Sequence, residues 1–173
     1  VFHLALRDRP DLICLTGDFI SRNLPDPRMF ARVLQPFSTA APVYACLGNH
    51  DGGGWAGNAG GYKDPGLVRQ VLNAASIRCL ENELVEISVA GQQVGLFGTV
   101  DLWSSPIDGT PLLGAPAEIP KIVLAHNPDT KDELAAPPWD LMLSGHSHGG
   151  QFTYPLTGGT PFCVVNDKRY ISG

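Results

Sequence analysis

The chain has 173 residues, 43% hydrophobic and 17% charged, the composition of an ordinary globular protein of domain size. A formal net charge of −5 leaves no basic stripe to displace counterions from a phosphate backbone, which argues against general nucleic-acid binding. No apolar run approaches the roughly 20 residues a membrane-spanning helix needs, and the four cysteines, without a C-x-x-C pair, read as free thiols.

Val1 to Arg9 carries Phe2 and Leu6 at i,i+4 spacing before Pro10, as at the end of a helix. Asp11 to Thr16 is a mostly apolar run that predicts a strand buried on both faces and opening into Gly17-Asp18. Asp26 as N-cap and Pro27 at the first position predict a helix through Phe37, with Met29, Phe30, Val33, Leu34 and Phe37 along its apolar side. Pro42 to Leu47 predicts a second buried strand, which ends in Gly48-Asn49-His50-Asp51. The glycine-rich stretch from Gly52 to Gly61, with Trp55 inside it, is too long for a tight turn and reads as a substrate loop or as a plain surface loop. Asp64-Pro65 opens a second helix, with Leu67, Val68, Val71 and Leu72 on one face. Leu84 to Val89 and Gln93 to Gly98, joined at 90–92, predict a hairpin. After Asp101-Leu102-Trp103, residues 105–118 are a loop rich in Pro and Gly. Lys121 to Ala125 predicts a third buried strand ending in His126, where Asn127 and Pro128 offer a helix cap and first position. Asp140 to Gly145 is the fourth such strand and runs into His146-Ser147-His148, while 151–154 and 162–165 read as short further strands. No repeat or linker divides the chain, so one domain over residues 1–173 is expected.

Four predicted strands thus end in Gly17-Asp18, Gly48-Asn49-His50-Asp51, His126 and Gly145-His146-Ser147-His148. Loops at the carboxyl ends of strands converge in α/β proteins. Taken singly, Gly-Asp and Gly-Asn are ordinary turn dipeptides, and one His-x-His is weak evidence of a metal. Taken together, a carboxylate, an amide and imidazoles at one sheet edge point to a metal site.

These blocks, in this order, resemble the calcineurin-like metallophosphoesterases, and the stretches Gly48 to Gly54, Asp101 to Trp103, His126 to Asp129 and Gly145 to Gln151 are similar to a bacterial, often membrane-associated phosphodiesterase subgroup. Some relatives there cleave the pyrophosphate of UDP-diacylglucosamine. The resemblance implies an α/β fold, a four-layer α/β/β/α sandwich of two mixed sheets face to face with helices outside. It implies two divalent ions, manganese, iron or zinc, with Asp18 bridging them, Asn49, His126 and His146 on the second ion and His148 on the first. A metal-bridging hydroxide would attack phosphorus in line. His50 would stabilise the phosphoryl oxygens or protonate the leaving oxygen, and Asp51 would orient its imidazole. The substrate class implied is a phosphodiester or pyrophosphate, either a small molecule or lipid-linked, with peripheral membrane association. The expected address is the cytoplasm or the inner-membrane surface, with export left open.

The family's first block, Asp-x-His, is absent from these 173 residues, since His3 has no aspartate two positions before it. The first ion would keep only Asp18 and His148, so a single ion in this chain is the alternative occupancy. The expectation is a chain truncated at its N-terminus and at its C-terminal end, in which loss of a central strand exposes sheet edges. The competing reading is a non-catalytic binding or scaffold module of the same fold. Retention of His50 and Asp51 favours the enzyme, because a scaffold needs no proton donor.

Overall fold

The computed structural model describes residues 2–136, 138–151 and 164–171. Its elements run α1 (Phe2–Arg7), β1 (Ile13–Leu15), α2 (Pro27–Ala40), β2 (Val43–Ala45), α3 (Gly54–Asn58), α4 (Gly66–Ala74), β3 (Arg78–Cys79), β4 (Glu83–Val89), β5 (Gln92–Gly98), α5 (Thr110–Leu113), β6 (Lys121–Leu124), α6 (Thr130–Glu133) and β7 (Leu141–Leu143). The strands expected at 151–154 and 162–165 fall largely outside the described residues.

Two sheets form. β1, β2 and β3 pair in parallel, with Ile13 opposite Val43 and Ala45 opposite Cys79. In the second sheet β4 and β5 make the expected antiparallel hairpin, closed by Ala90 and Gly91 with both φ angles positive, the two-residue turn whose twist matches its strands. β6 and β7 then add in parallel to β5. Cys46 and Leu80 from the first sheet meet Leu96 and Leu124 from the second, forming a core between the sheets. A second core, including Leu34, Phe37, Val68 and Leu72, lies between the first sheet and the helices α2 and α4. A third, around Phe97, Leu112, Val123 and Leu134, covers the outer face of the second sheet. The order of layers is therefore α/β/β/α.

Local chemistry explains most elements and some departures. The Asp26 carboxylate accepts the Met29 amide at 2.9 Å, the N-cap the sequence predicts. α2 continues past Phe37 to Ala40, with Pro36 on its exposed side. Its buried face is Ala31, Leu34 and Phe37, while Met29 is 63% and Val33 39% exposed, so the apolar stripe is narrower than the sequence pattern predicts. β1 is half-buried rather than buried on both faces, because among the described residues only β2 pairs with it. The glycine-rich stretch contains the short helix α3, and the helix after His126 starts at Thr130 rather than Pro128, since the Asn127 side chain instead accepts the Asp129 amide at 2.9 Å in a local turn. Among the described residues no helix is long and apolar enough to cross a membrane.

Leu96 is fully buried between the sheets. Leu96→Ala should lower the unfolding free energy by about 2–5 kcal/mol, whereas Val33→Ala on the exposed side of α2 should cost less than about 1 kcal/mol. Urea denaturation followed by circular dichroism checks both.

Candidate metal centre

The loops after β1, β2, β6 and β7 meet at one end of the two sheets, and they do so backbone against backbone. A Cβ on Gly17 would lie 2.5 Å from the Gly48 amide nitrogen, a Cβ on Gly48 would overlap the Asp18 carboxylate, and a Cβ on Gly145 would lie 3.0 Å from the Thr16 hydroxyl. Glycine is therefore a packing requirement at 17 and 48, and the space at 145 is tight. Asp18 (φ 58°) and His146 (φ 65°) adopt left-handed backbone, which costs about 1 kcal/mol or more per residue and persists where the surroundings over-determine it.

One carboxylate ties the loops together. Asp51 accepts the amides of Gly48 at 2.8 Å, Asp18 at 2.9 Å and Ile20 at 3.2 Å, and it is fully buried. Burial pushes its pKa up to about 6, and the amide donors oppose that rise. Asp51 thus fixes loop backbone and does not orient the His50 imidazole, the role expected of it. The His50 ring is held instead by the Ser21 carbonyl, 2.6 Å from its Nδ1.

The side chains of Asp18, His126 and His146 bring ligand atoms within 4.8 Å of one another. His126 donates Nδ1–H to the Thr16 carbonyl at 2.7 Å, so in the neutral ring its Nε2 is a bare lone pair. Around that Nε2 stand Asp18 Oδ2 at 3.2 Å, Asn49 Oδ1 at 3.2 Å and His146 Nδ1 at 3.0 Å. His146 Nε2 is buried with no hydrogen-bond partner among the described residues. Lone pairs converging in this way, with one proton at most to share, are the signature of a place for a cation, and a mixed nitrogen and oxygen set fits a divalent transition metal. Burial pushes the Asp18 carboxyl up, but the adjacent His126 imidazole and the His50 amide outweigh it and hold the group below its ordinary value. Burial likewise lowers His126, but the Asp18 carboxylate and Thr16 carbonyl raise it above its ordinary value. Burial and the neighbouring His126 charge lower His146 to about 4, so this ring is neutral at physiological pH.

Residues 1–150 match the calcineurin-like phosphoesterase family. The chain belongs to that family. It is 40% identical over 98% of its length to phosphodiesterase YaeI of Escherichia coli, covering 60% of that protein. It is 25% identical over 84% of its length to UDP-2,3-diacylglucosamine pyrophosphatase LpxG of Chlamydia trachomatis, covering 56% of it. Among solved structures, a 5'-nucleotidase precursor from Thermus thermophilus superposes with a TM-score of 0.54 at 18% identity, covering 84% of this chain and 35% of that one, a likeness of fold. The chain thus spans a little over half the length of these two relatives.

Within this calcineurin-like phosphoesterase, Asn49 joins the Asp18, His126 and His146 cluster through its contact with His126. His148 lies outside it, exposed in the 3-10 turn His148–Gly150, and borders a cavity of about 730 Å³ shared with Asp18, His126 and His146. Two further groups were not singled out as site residues. Asp101, after β5, is 5% exposed, and burial raises its pKa against the pull of the neighbouring Ser104 hydroxyl and of His126. Like the candidate ligands, it follows the end of a strand. Asp129 accepts the amides of Asn166 at 2.7 Å and Asp167 at 3.2 Å, binding residues 164–171 beside the metal loops, a long-range contact with no local signature.

Asp51→Asn turns one oxygen into a donor facing backbone amides and should destabilise the chain by about 1–3 kcal/mol, read by denaturant titration, with loss of manganese affinity in calorimetry. Metal entry must displace a proton held by His126 below its raised pKa. Manganese affinity should therefore fall as pH drops through that value, by at most about tenfold per unit for one proton; calorimetry over a series from alkaline to mildly acidic pH measures it, with Asp51, raised to about 6, titrating at its acid end. His146, already neutral above about 4, should contribute nothing in that range.

Proposed function

We propose that this chain hydrolyses phosphodiesters or pyrophosphates. The observation that carries this reading is a cluster of converged ligand atoms joined to the loop that carries the His50 imidazole. The two are linked directly, because the His50 backbone amide donates to Asp18 Oδ1 at 3.0 Å. Asp18, Asn49, His126 and His146 would hold a divalent ion, and His148 across the same cavity would serve a second. Bound divalent ions supply Lewis acidity, polarising phosphoryl oxygens and lowering the pKa of water. The mixed donor set suits manganese, iron or zinc.

The chain's own residues do the rest. The Ser21 carbonyl fixes the His50 tautomer with hydrogen on Nδ1, so the protonated ring presents Nε2–H outward. As water forms its bond to phosphorus and gives up a proton to solvent, the bond to the leaving oxygen breaks, and His50 Nε2 delivers its proton to that oxygen. Asp51 keeps the two loops in register while this happens. The similarity to YaeI and LpxG supports the diester and pyrophosphate classes. The 730 Å³ cavity, which carries Leu141, Met142 and Ile171 next to the histidines, has the apolar surface a lipid-linked substrate needs.

Manganese-dependent hydrolysis of bis-p-nitrophenyl phosphate tests the reading. His50→Ala should lower kcat by about 10²–10⁴ with manganese affinity retained, and chelation should abolish turnover. A His50→Ala chain as active as the unaltered one would overturn the role of His50. Folded, metal-loaded protein without any turnover would favour the scaffold reading.

A further inference from the structure

The glycine-rich stretch 52–61, which the sequence leaves open between a substrate loop and a plain surface loop, is bonded back onto the loop that follows β1. Gly53 donates its amide to the Tyr62 carbonyl at 3.1 Å and Gly61 to the Ala56 carbonyl at 2.7 Å, so the stretch closes on itself around α3. The Tyr62 hydroxyl accepts the Leu24 amide at 3.1 Å, and a Cβ on Gly61 would lie 3.2 Å from the Arg22 carbonyl oxygen. None of residues 52–61 lines the 730 Å³ cavity next to the ligand cluster. What the stretch delivers is the Trp55 side chain.

The Trp55 indole meets the His50 imidazole with ring centroids 4.5 Å apart and planes inclined at 63°. It also meets Trp103, at 6.0 Å and 38°. The imidazole therefore has two holds, the Ser21 carbonyl at Nδ1 and the indole against the ring. A single hydrogen bond leaves a histidine ring free to tilt about the line from Nδ1 to its acceptor, because the torsion that turns the ring has a broad minimum. A second contact away from that line removes the tilt. Proton delivery depends on this direction, since the proton must reach one particular oxygen of the substrate. The two holds also move together: Ser21 belongs to the β1 loop, and Tyr62, which follows the stretch carrying Trp55, is bonded to that same loop at Leu24.

We propose that Trp55 is a positioning residue for the His50 imidazole, and that the stretch 52–61 is the brace that carries it. This rests on the role given to His50 in the phosphoesterase reading above. Ser21 sets which nitrogen carries the delivered proton, and Trp55 sets the plane in which that nitrogen points.

The test is kinetic and spectroscopic. In the manganese-loaded chain, Trp55→Leu should lower kcat for diphenyl phosphate about 10- to 100-fold, while KM and manganese affinity stay within about twofold, and Trp55→Phe should restore most of the loss. The loss should be smaller for bis-p-nitrophenyl phosphate, whose less basic leaving oxygen needs the proton less; a general loosening of the site would lower both alike. In NMR spectra of the zinc-loaded, diamagnetic chain, the carbon-bound protons of the His50 ring should carry a ring-current shift from the indole that Trp55→Leu removes and Trp55→Phe keeps in part. An unchanged kcat in folded Trp55→Leu protein, equal losses on the two esters, or a His50 spectrum indifferent to the substitution overturns the proposal. A His50 spectrum that responds to Trp55 in a chain that hydrolyses nothing would sustain the brace and defeat the hydrolytic reading. Hydrolysis abolished by His50→Ala yet untouched by Trp55→Leu would do the reverse.

Discussion

The site depends on one buried carboxylate. Asp51 accepts three amides from two loops that are more than 25 residues apart in sequence, and those loops carry Asp18, Asn49 and His50. An ionised carboxylate without water is costly, and hydrogen bonds to three fixed donors offset much of that cost. The same bonds set the distance between the β1 and β2 loops, so the energy of burying Asp51 and the geometry of the ligands are one quantity. Glycines at 17 and 48 make it attainable, because any side chain there would separate the strands' ends before the carboxylate reached its amides.

Around this point the two sheets act as a frame. β1 and β2 deliver loops from one sheet, β6 and β7 from the other, and the buried residues between the sheets keep the two pairs of strand ends in line. His126 shows the result: its Nδ1 is tied to Thr16 in the first sheet's loop, while its own strand belongs to the second. A change in the spacing of the sheets would therefore be felt first as a change in the direction of that ring.

The sequence was informative where chemistry is local. Alternating residues and a two-residue turn specified the β4–β5 hairpin, Asp26 marked the start of α2, and apolar runs ending in Gly-Asp, Gly-Asn-His, His and Gly-His-x-His located the loops that converge. What it could not specify depends on partners distant in the chain. Which group an acid serves is one case: Asp51 is adjacent to His50 in sequence yet bonds to the backbone, while Ser21, some 29 residues away, holds the imidazole. Burial is another. The apolar character of Ile13 to Leu15 is that of a strand covered on both faces, but coverage depends on what lies alongside, which no run of residues records. Asp101 follows a strand as the candidate ligands do, but in sequence it stood out only as part of the Asp101 to Trp103 stretch shared with the phosphodiesterase subgroup.

The direct meeting of glycine backbones at the loops has a bearing on which ions the proposed centre would accept. Because no side chains lie between Gly17 and Gly48, the loops have nothing compressible to give up when an ion of different radius enters. Adjustment falls to rotation of the imidazoles, and of these His126 is anchored at Nδ1. His146 is buried and packs at steep ring angles against Trp103 and His126. In the proposed centre, the size of ion accepted would therefore be set by loops and rings that have little room to move.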